Sequence, residues 1–532
     1  MAGVLAPAPR PARLVASRLT NQWRAALGIG FVLVVWEVLA LTVFAGRHVL
    51  PTPGAVVAAM VRDDFYAGDL STTLSEAGWG FVIGNGAAVV LAGLALVAPV
   101  VARPLERVGA LTYCVPTVAV GPLLLIFLGS GMAKVMISAL SVFFVSLVAC
   151  MSGLADTPPG LLEVAHAFGG GRLSQLFRVR LRSAIPRAAG GLALSAPAAI
   201  LGAIIGEYMG GTQGLGVAMV SAEQNLQVPR TWAIGAVATL LSGAAYFAVR
   251  LVLRLVAGPA GTDTGLAMTV RHEPRTRVRR VTRALSPLTT MLGLVVVWAA
   301  VLKISGLSPY FAKSPAAIWT FLASGPGAAA NRAVTLSALD TTLRDALIGW
   351  LVGSVAGLGG ATVIDQLPSL ASAVMPIVMT LRSVPLIAMT PLITLVFGQG
   401  LVGVVVIAAV ITFVPTLVLV TSGLEGAPPQ AIELARAYNL SRFGLLVQVR
   451  SRYAIPSLFA AAKVAVPGSI LGAVLAEWLI TGDGVGHLMA AALIGSDFST
   501  LWACVVVVSV VSLAFYEVIG ALEAASADRL AA

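Results

Sequence analysis

Glu163-Val-Ala-His-Ala-Phe-Gly169 and Glu433-Leu-Ala-Arg-Ala-Tyr-Asn439 are one segment written twice, 270 residues apart. The match continues at the same offset. Arg172 answers Arg442, Val179 answers Val449, Arg182 answers Arg452, and Ile185-Pro186 answers Ile455-Pro456. Further on, Pro197 answers Pro467, Glu207 answers Glu477, and Gly214-Leu-Gly216 answers Gly484-Val-Gly486. A long internal repeat in an apolar chain points to two pseudo-symmetric halves around one shared path.

The chain is 58% hydrophobic and 11% charged, with a mean hydropathy of +0.94. Such a sequence cannot cover a soluble globule with polar groups, so the bilayer must serve as its solvent. Backbone groups in lipid must bond internally, and long unbroken apolar runs select helices over a barrel. Cys114, Cys150 and Cys504 lie in apolar stretches without paired spacing, and the four histidines are scattered, so neither a disulfide nor a metal site is expected.

Apolar runs fall near 27–45, 77–99, 108–129, 133–153, 189–207 and 233–256, then near 288–304, 345–364, 371–397, 401–422, 460–480 and 500–522. The reading is an all-α polytopic membrane protein of about twelve spans, arranged as two parallel six-helix repeats. The units are 1–256 and 288–532, joined by a basic, Pro/Gly-bearing linker over 257–287. With both termini inside, 24 of the 34 Lys and Arg residues fall on the inner side and 7 outside, as the positive-inside rule requires. Lys134 is one of the seven, in a loop expected between the third and fourth spans.

In each half the repeated segment follows a Pro-Pro pair, at 158–159 and 428–429. Proline is tolerated at a helix start, and a nearby carboxylate favours the exposed amides of the first turn. Gly169 and Asn439 are the residue types that best accept the left-handed turn ending a helix. A basic stretch and a proline then lead back into the membrane. Glu163 and Glu433 taken alone read equally well as helix caps.

The whole pattern resembles the EAA loop of ABC-importer permeases, and is matched by Glu163, Ala165, Gly169, Val179 and Leu181, and by Glu433, Ala435 and Val449. Val164 and Leu434 replace the central Ala, Asn439 replaces Gly, and Arg182 and Arg452 stand where the family has its first Pro. More of each half is similar to the nitrate/sulfonate/taurine branch: Leu50-Pro51-Thr-Pro53, Thr73-Leu74 with Gly80 and Gly84, Thr342-Leu343 with Gly349 and Gly353, and Arg382-Ser-Val-Pro385 through Gly398-Gln-Gly400. Tyr113 stands at the first-half counterpart of Arg382. The resemblance implies a type I ABC-importer permease fold with two units fused in one chain. It further implies that Glu163, Ala165, Gly169 and Arg172, with Glu433, Ala435, Asn439 and Arg442, form coupling loops for two cytoplasmic ABC ATPase subunits. An extracytoplasmic binding protein would deliver a small oxyanion or sulfonate, and the chain would sit in a bacterial inner membrane.

No Gly-x-x-x-x-Gly-Lys-Ser/Thr phosphate loop is present, so no cofactor is expected in this chain and ATP would be bound by partner subunits. Among charges in or beside apolar runs, Arg382 is expected to face the path and favour an anion, with Tyr113 making the path asymmetric. Glu207 and Glu477, beside Tyr208 and Trp478, are expected to reach water at the outer end of the fifth span, and Lys463 to snorkel. An ion-gradient-driven transporter with parallel repeats is the alternative, but it would want carboxylates near the midplane and no large paired inner loop. A membrane-embedded enzyme would want a His, Asp, Glu or Cys constellation that the sequence lacks.

Overall fold

The computed structural model describes residues 30–257 and 292–531, apart from 32, 47–48, 63–65, 99–100, 156, 158, 170, 294, 301, 305, 368–377, 379–389, 391–392, 394–395, 399 and 480. Among the described residues the architecture is helical throughout. In the first unit the principal helices are α1 (Tyr66–Val97), α2 (Ala102–Cys114), α3 (Thr117–Ala155), α4 (Pro159–Ala167), α5 (Leu181–Gly210), α6 (Leu215–Gln224) and α7 (Val228–Ala257). In the second they are α8 (Ala328–Gln366), α9 (Leu401–Glu425), α10 (Pro429–Ala437), α11 (Ser451–Leu479), α12 (Gly484–Ile494) and α13 (Phe498–Ala531).

Eight helices among the described residues are long and apolar enough to cross a membrane: 67–95, 120–154, 188–210, 228–255, 328–366, 401–425, 442–479 and 498–526. The expected run at 27–45 is helical over part of its described length and that at 288–304 over all of it, while the run at 371–397 lies almost wholly outside the described residues. The third run departs from expectation. Instead of one span over 108–129, α2 ends at Cys114 and α3 begins at Thr117, with Val115 extended at φ −77° and ψ 125° between them. Pro116 is the cause, because its ring disfavours helical backbone in the residue before it. The loop expected between the third and fourth spans is only a kink at Gly129 (φ 73°, ψ 166°) inside α3.

Within each unit the helices approach closely through small residues, which serve where apolar burial gives no net drive between helices in lipid. A Cβ on Gly84 would sit 2.5 Å from the Ala139 carbonyl oxygen of α3, and one on Gly353 would sit 2.3 Å from the Ala409 carbonyl oxygen of α9. The pair α1/α3 therefore crosses as α8/α9 does, at matching glycines. The two units also meet directly. Leu123 of α3 joins an apolar cluster with Val404, Ile407, Ile470 and Val474 of the second unit. Beside it, Arg107 of α2 pairs with Glu517 of α13 at 3.1 Å.

Candidate functional site

The two repeated segments form matching levers at one end of the helix bundle. Pro429 opens α10, which stops in a Schellman arrangement: Asn439 takes φ 54°, its N–H donates to Arg436 O at 2.9 Å, and Leu440 N donates to Ala435 O at 3.1 Å. Gly169 ends α4 with φ 76° and its N–H on His166 O at 2.9 Å. A short helix then follows in each unit, Arg172–Gln175 and Arg442–Leu445. Each runs through a π-turn, Leu176–Arg180 and Leu446–Arg450, into α5 and α11.

Glu163 and Glu433 are exposed on these levers, as are Gly169 and Asn439. Ala165 is half-buried and Ala435 is buried. Arg172 opens its short helix, while the exposed Arg442 donates to the Gln366 carbonyl at 3.4 Å. Apolar side chains stand out in solvent beside the glutamates: Val164 and Phe168 on one lever, Leu434 and Tyr438 on the other. The two levers thus present the same succession of carboxylate, aliphatic and aromatic groups.

Of the two path candidates, Arg382 lies outside the described residues. Tyr113 is half-buried at the contact between units. Its hydroxyl donates to the Val464 carbonyl of α11 at 3.0 Å, and its ring stacks on Phe144 with centroids 4.6 Å apart. A cavity of roughly 190 Å³ lies between α2 and α3, lined by Val108, Leu111, Thr112, Val115, Leu124 and Ile137.

Glu207 and Glu477 do not reach water, contrary to the sequence expectation. Each is 1% exposed at the end of the bundle opposite the levers. Glu207 Oε1 accepts from the Thr73 hydroxyl at 2.6 Å and its Oε2 from Gly216 N at 2.7 Å, while Leu215 N donates to Thr73 Oγ1 at 3.0 Å. In the second unit Glu477 Oε2 accepts from Thr342 at 2.8 Å and from Gly486 N at 2.9 Å, and Val485 N donates to Thr342 Oγ1 at 2.9 Å. These bonds satisfy amides that the first turns of α6 and α12 would leave orphaned. They latch each short helix onto two spans. Gly214 (φ 120°) and Gly484 (φ 90°) are required there, since a Cβ on either would stand 2.2 Å from the carboxyl carbon of its glutamate.

Sequence reasoning also missed an internal ion pair. Lys134, expected in an outer loop, is buried in α3 against Glu76 of α1. The matching acid in the second unit is Asp345, paired with Arg344 at 3.2 Å. Acids at corresponding places in two apolar helices were the available signal. Lys463 does not simply snorkel: it pairs with Glu523 at 3.6 Å and lies over the Tyr516 ring, 4.8 Å from its centroid.

Residues 84–258 and 349–528 each match the family described as the binding-protein-dependent transport system inner membrane component. Over 234 residues, 44% of this chain and 93% of the relative, the chain is 29% identical to a probable ABC transporter permease protein of Haemophilus influenzae. It is 30% identical to the riboflavin transport system permease protein RibX of Chloroflexus aurantiacus, over 44% of this chain and 87% of that one. A putative aliphatic sulfonates transport permease protein SsuC of Bacillus subtilis is 27% identical over 38% of this chain and 75% of its own length. The chain belongs to this permease family and carries two of its units in one polypeptide, as a multi-pass membrane protein of an ATP-driven transport system.

Proposed function

We propose that this fused pair of permease units forms the transmembrane pathway of an ABC importer for a small solute, working by alternating access. The observation that carries the proposal is the paired levers. Two helices at one end of the bundle, each stopped by a left-handed residue, expose matching carboxylate, aliphatic and aromatic groups. Separate ATPase subunits would dock on 161–175 and 431–445 from the cytoplasm, where both chain termini would also lie. Their closure on ATP would draw the levers together. The membrane chain then supplies two states of different affinity, and nucleotide binding in the partners shifts the population between them. ATP would be held by those partners, and a binding protein would present the solute at the opposite face. The solute would be an oxyanion or sulfonate. This class is supported by the relative named for aliphatic sulfonates and by the placement of Arg382 among the prolines of an apolar run.

Cysteine labelling tests the arrangement in the native chain, because Cys114, Cys150 and Cys504 are all buried. Cysteines placed at 163 and 433 should both react with an impermeant reagent from the cytoplasmic face alone. In proteoliposomes with a purified partner ATPase, sulfonate uptake should require ATP. Replacing both Glu163 and Glu433 with Ala should weaken ATPase capture. Labelling from opposite faces, or uptake driven by an ion gradient without ATP, overturns the reading. Uptake of riboflavin but no sulfonate overturns the substrate class alone.

A further inference from the structure

The levers are alike in shape and unlike in how they are held. Ala435 is 4% exposed, whereas its counterpart Ala165 is half-buried. Ser441 Oγ accepts from Gly444 N at 3.1 Å and caps the second short helix, while Gly171 at the matching place has no side chain to do so. Leu446 is buried against an apolar cluster that includes Ala361 and Ile364 of α8. Asp365 of α8 forms an ion pair with Arg450 in the π-turn below the second lever, and its other oxygen accepts from Gln366 Nε2 at 2.9 Å. The Asp365 side chain is 6% exposed and that of Arg450 is 23% exposed, so both oxygens of a nearly dry carboxylate are occupied.

The register set by Thr73/Thr342 and Gly84/Gly353 puts Leu96 of α1 where Asp365 stands on α8. The position on α1 that corresponds to the partner of Arg450 is therefore not a carboxylate. We infer that Asp365 and Arg450 are positioning residues that fix the second lever to α8, so that it transmits its displacement stiffly while the first lever moves with slack. The inference rests on the levers being ATPase-driven only for the source of the motion. The difference in stiffness belongs to the chain itself.

Spin labels in nanodiscs without any ATPase read that stiffness: one pair at 437 and 363 for the second lever, another at 167 and 94 for the first. The 437/363 pair should give the narrower distance distribution. Asp365→Asn should broaden it toward that of the first lever, and Leu96→Asp should narrow the first. With an ATPase bound, Asp365→Asn should lower transport per ATP by about five- to tenfold, since removing one partner of a largely buried pair leaves its mate uncompensated. The exchanged double variant, Asp365→Arg with Arg450→Asp, should recover most of that loss. Unchanged widths in both Asp365→Asn and Leu96→Asp, or full transport per ATP in Asp365→Asn, overturn the inference. Failure of any ATPase to engage defeats the proposed function instead, and leaves the widths to decide this point.

Discussion

Replacing Thr342 with valine removes one hydroxyl and keeps the side chain's shape. That hydroxyl donates to Glu477 at 2.8 Å and accepts from Val485 N at 2.9 Å, at a place 0% exposed. The variant therefore strands a buried amide and takes one of two hydrogen bonds from a buried carboxyl group. Leaving a buried donor or acceptor unsatisfied costs about 1–3 kcal/mol. Hydrogen bonds in membrane proteins measure lower, roughly 0.6 kcal/mol on average, because the unfolded chain in lipid also finds partners. Two disrupted groups thus give an expected loss of about 1–4 kcal/mol, with the lower end favoured. The neighbouring Thr341, half-buried with only a 3.4 Å bond to Ser337 O, provides the control and should lose less than about 0.5 kcal/mol as valine. Reversible unfolding in mixed micelles, titrated with SDS, measures both. Thr73→Val should lose slightly less than Thr342→Val, because Asp69 gives α6 an extra anchor by accepting from Gly214 N at 2.9 Å. Equal losses for Thr342→Val and Thr341→Val would refute the latch as the element holding α12.

Lys134→Met should destabilise the first unit by about 3–5 kcal/mol in the same assay, because it leaves the Glu76 carboxylate buried and unpaired. Adding Glu76→Gln should restore most of the loss, and a further drop in the double variant would contradict the pairing. Gly169→Ala should loosen the end of α4 by about 1–2 kcal/mol, since a Cβ is disfavoured at φ 76°. Asn439→Gly should firm the end of α10 by a few tenths of a kcal/mol. Hydrogen exchange of the lever amides reads both changes.

What was legible in the sequence was local. A Pro-Pro pair, a carboxylate and a Gly or Asn stop lie within a dozen residues of each other, and each acts on its own backbone, so the levers could be drawn without knowing their neighbours. The latch could not. Glu207 reads as a surface residue beside Tyr208 until Thr73, 134 positions away, is brought against it. Lys134 was misread for a related reason. Gly129-Ser-Gly-Met-Ala-Lys134 has the composition of a loop, but α3 resumes after a single non-helical residue and carries the lysine into the interior. Pro116, in contrast, acts on the residue before it, and the break it causes was readable in principle from that dipeptide alone.

The π-turns at 176–180 and 446–450 give each of these helices one surplus residue at the same place in both units. An α-helix advances 3.6 residues per turn, so everything upstream is swung by about 100° relative to the span below it. Deleting a single residue from 446–450 would let the helix anneal and aim Glu433 and Tyr438 at a different quadrant, at the cost of the Leu446 packing and the Arg450–Asp365 pair. The bearing of each lever is thus written in chain length, and a one-codon change resets it.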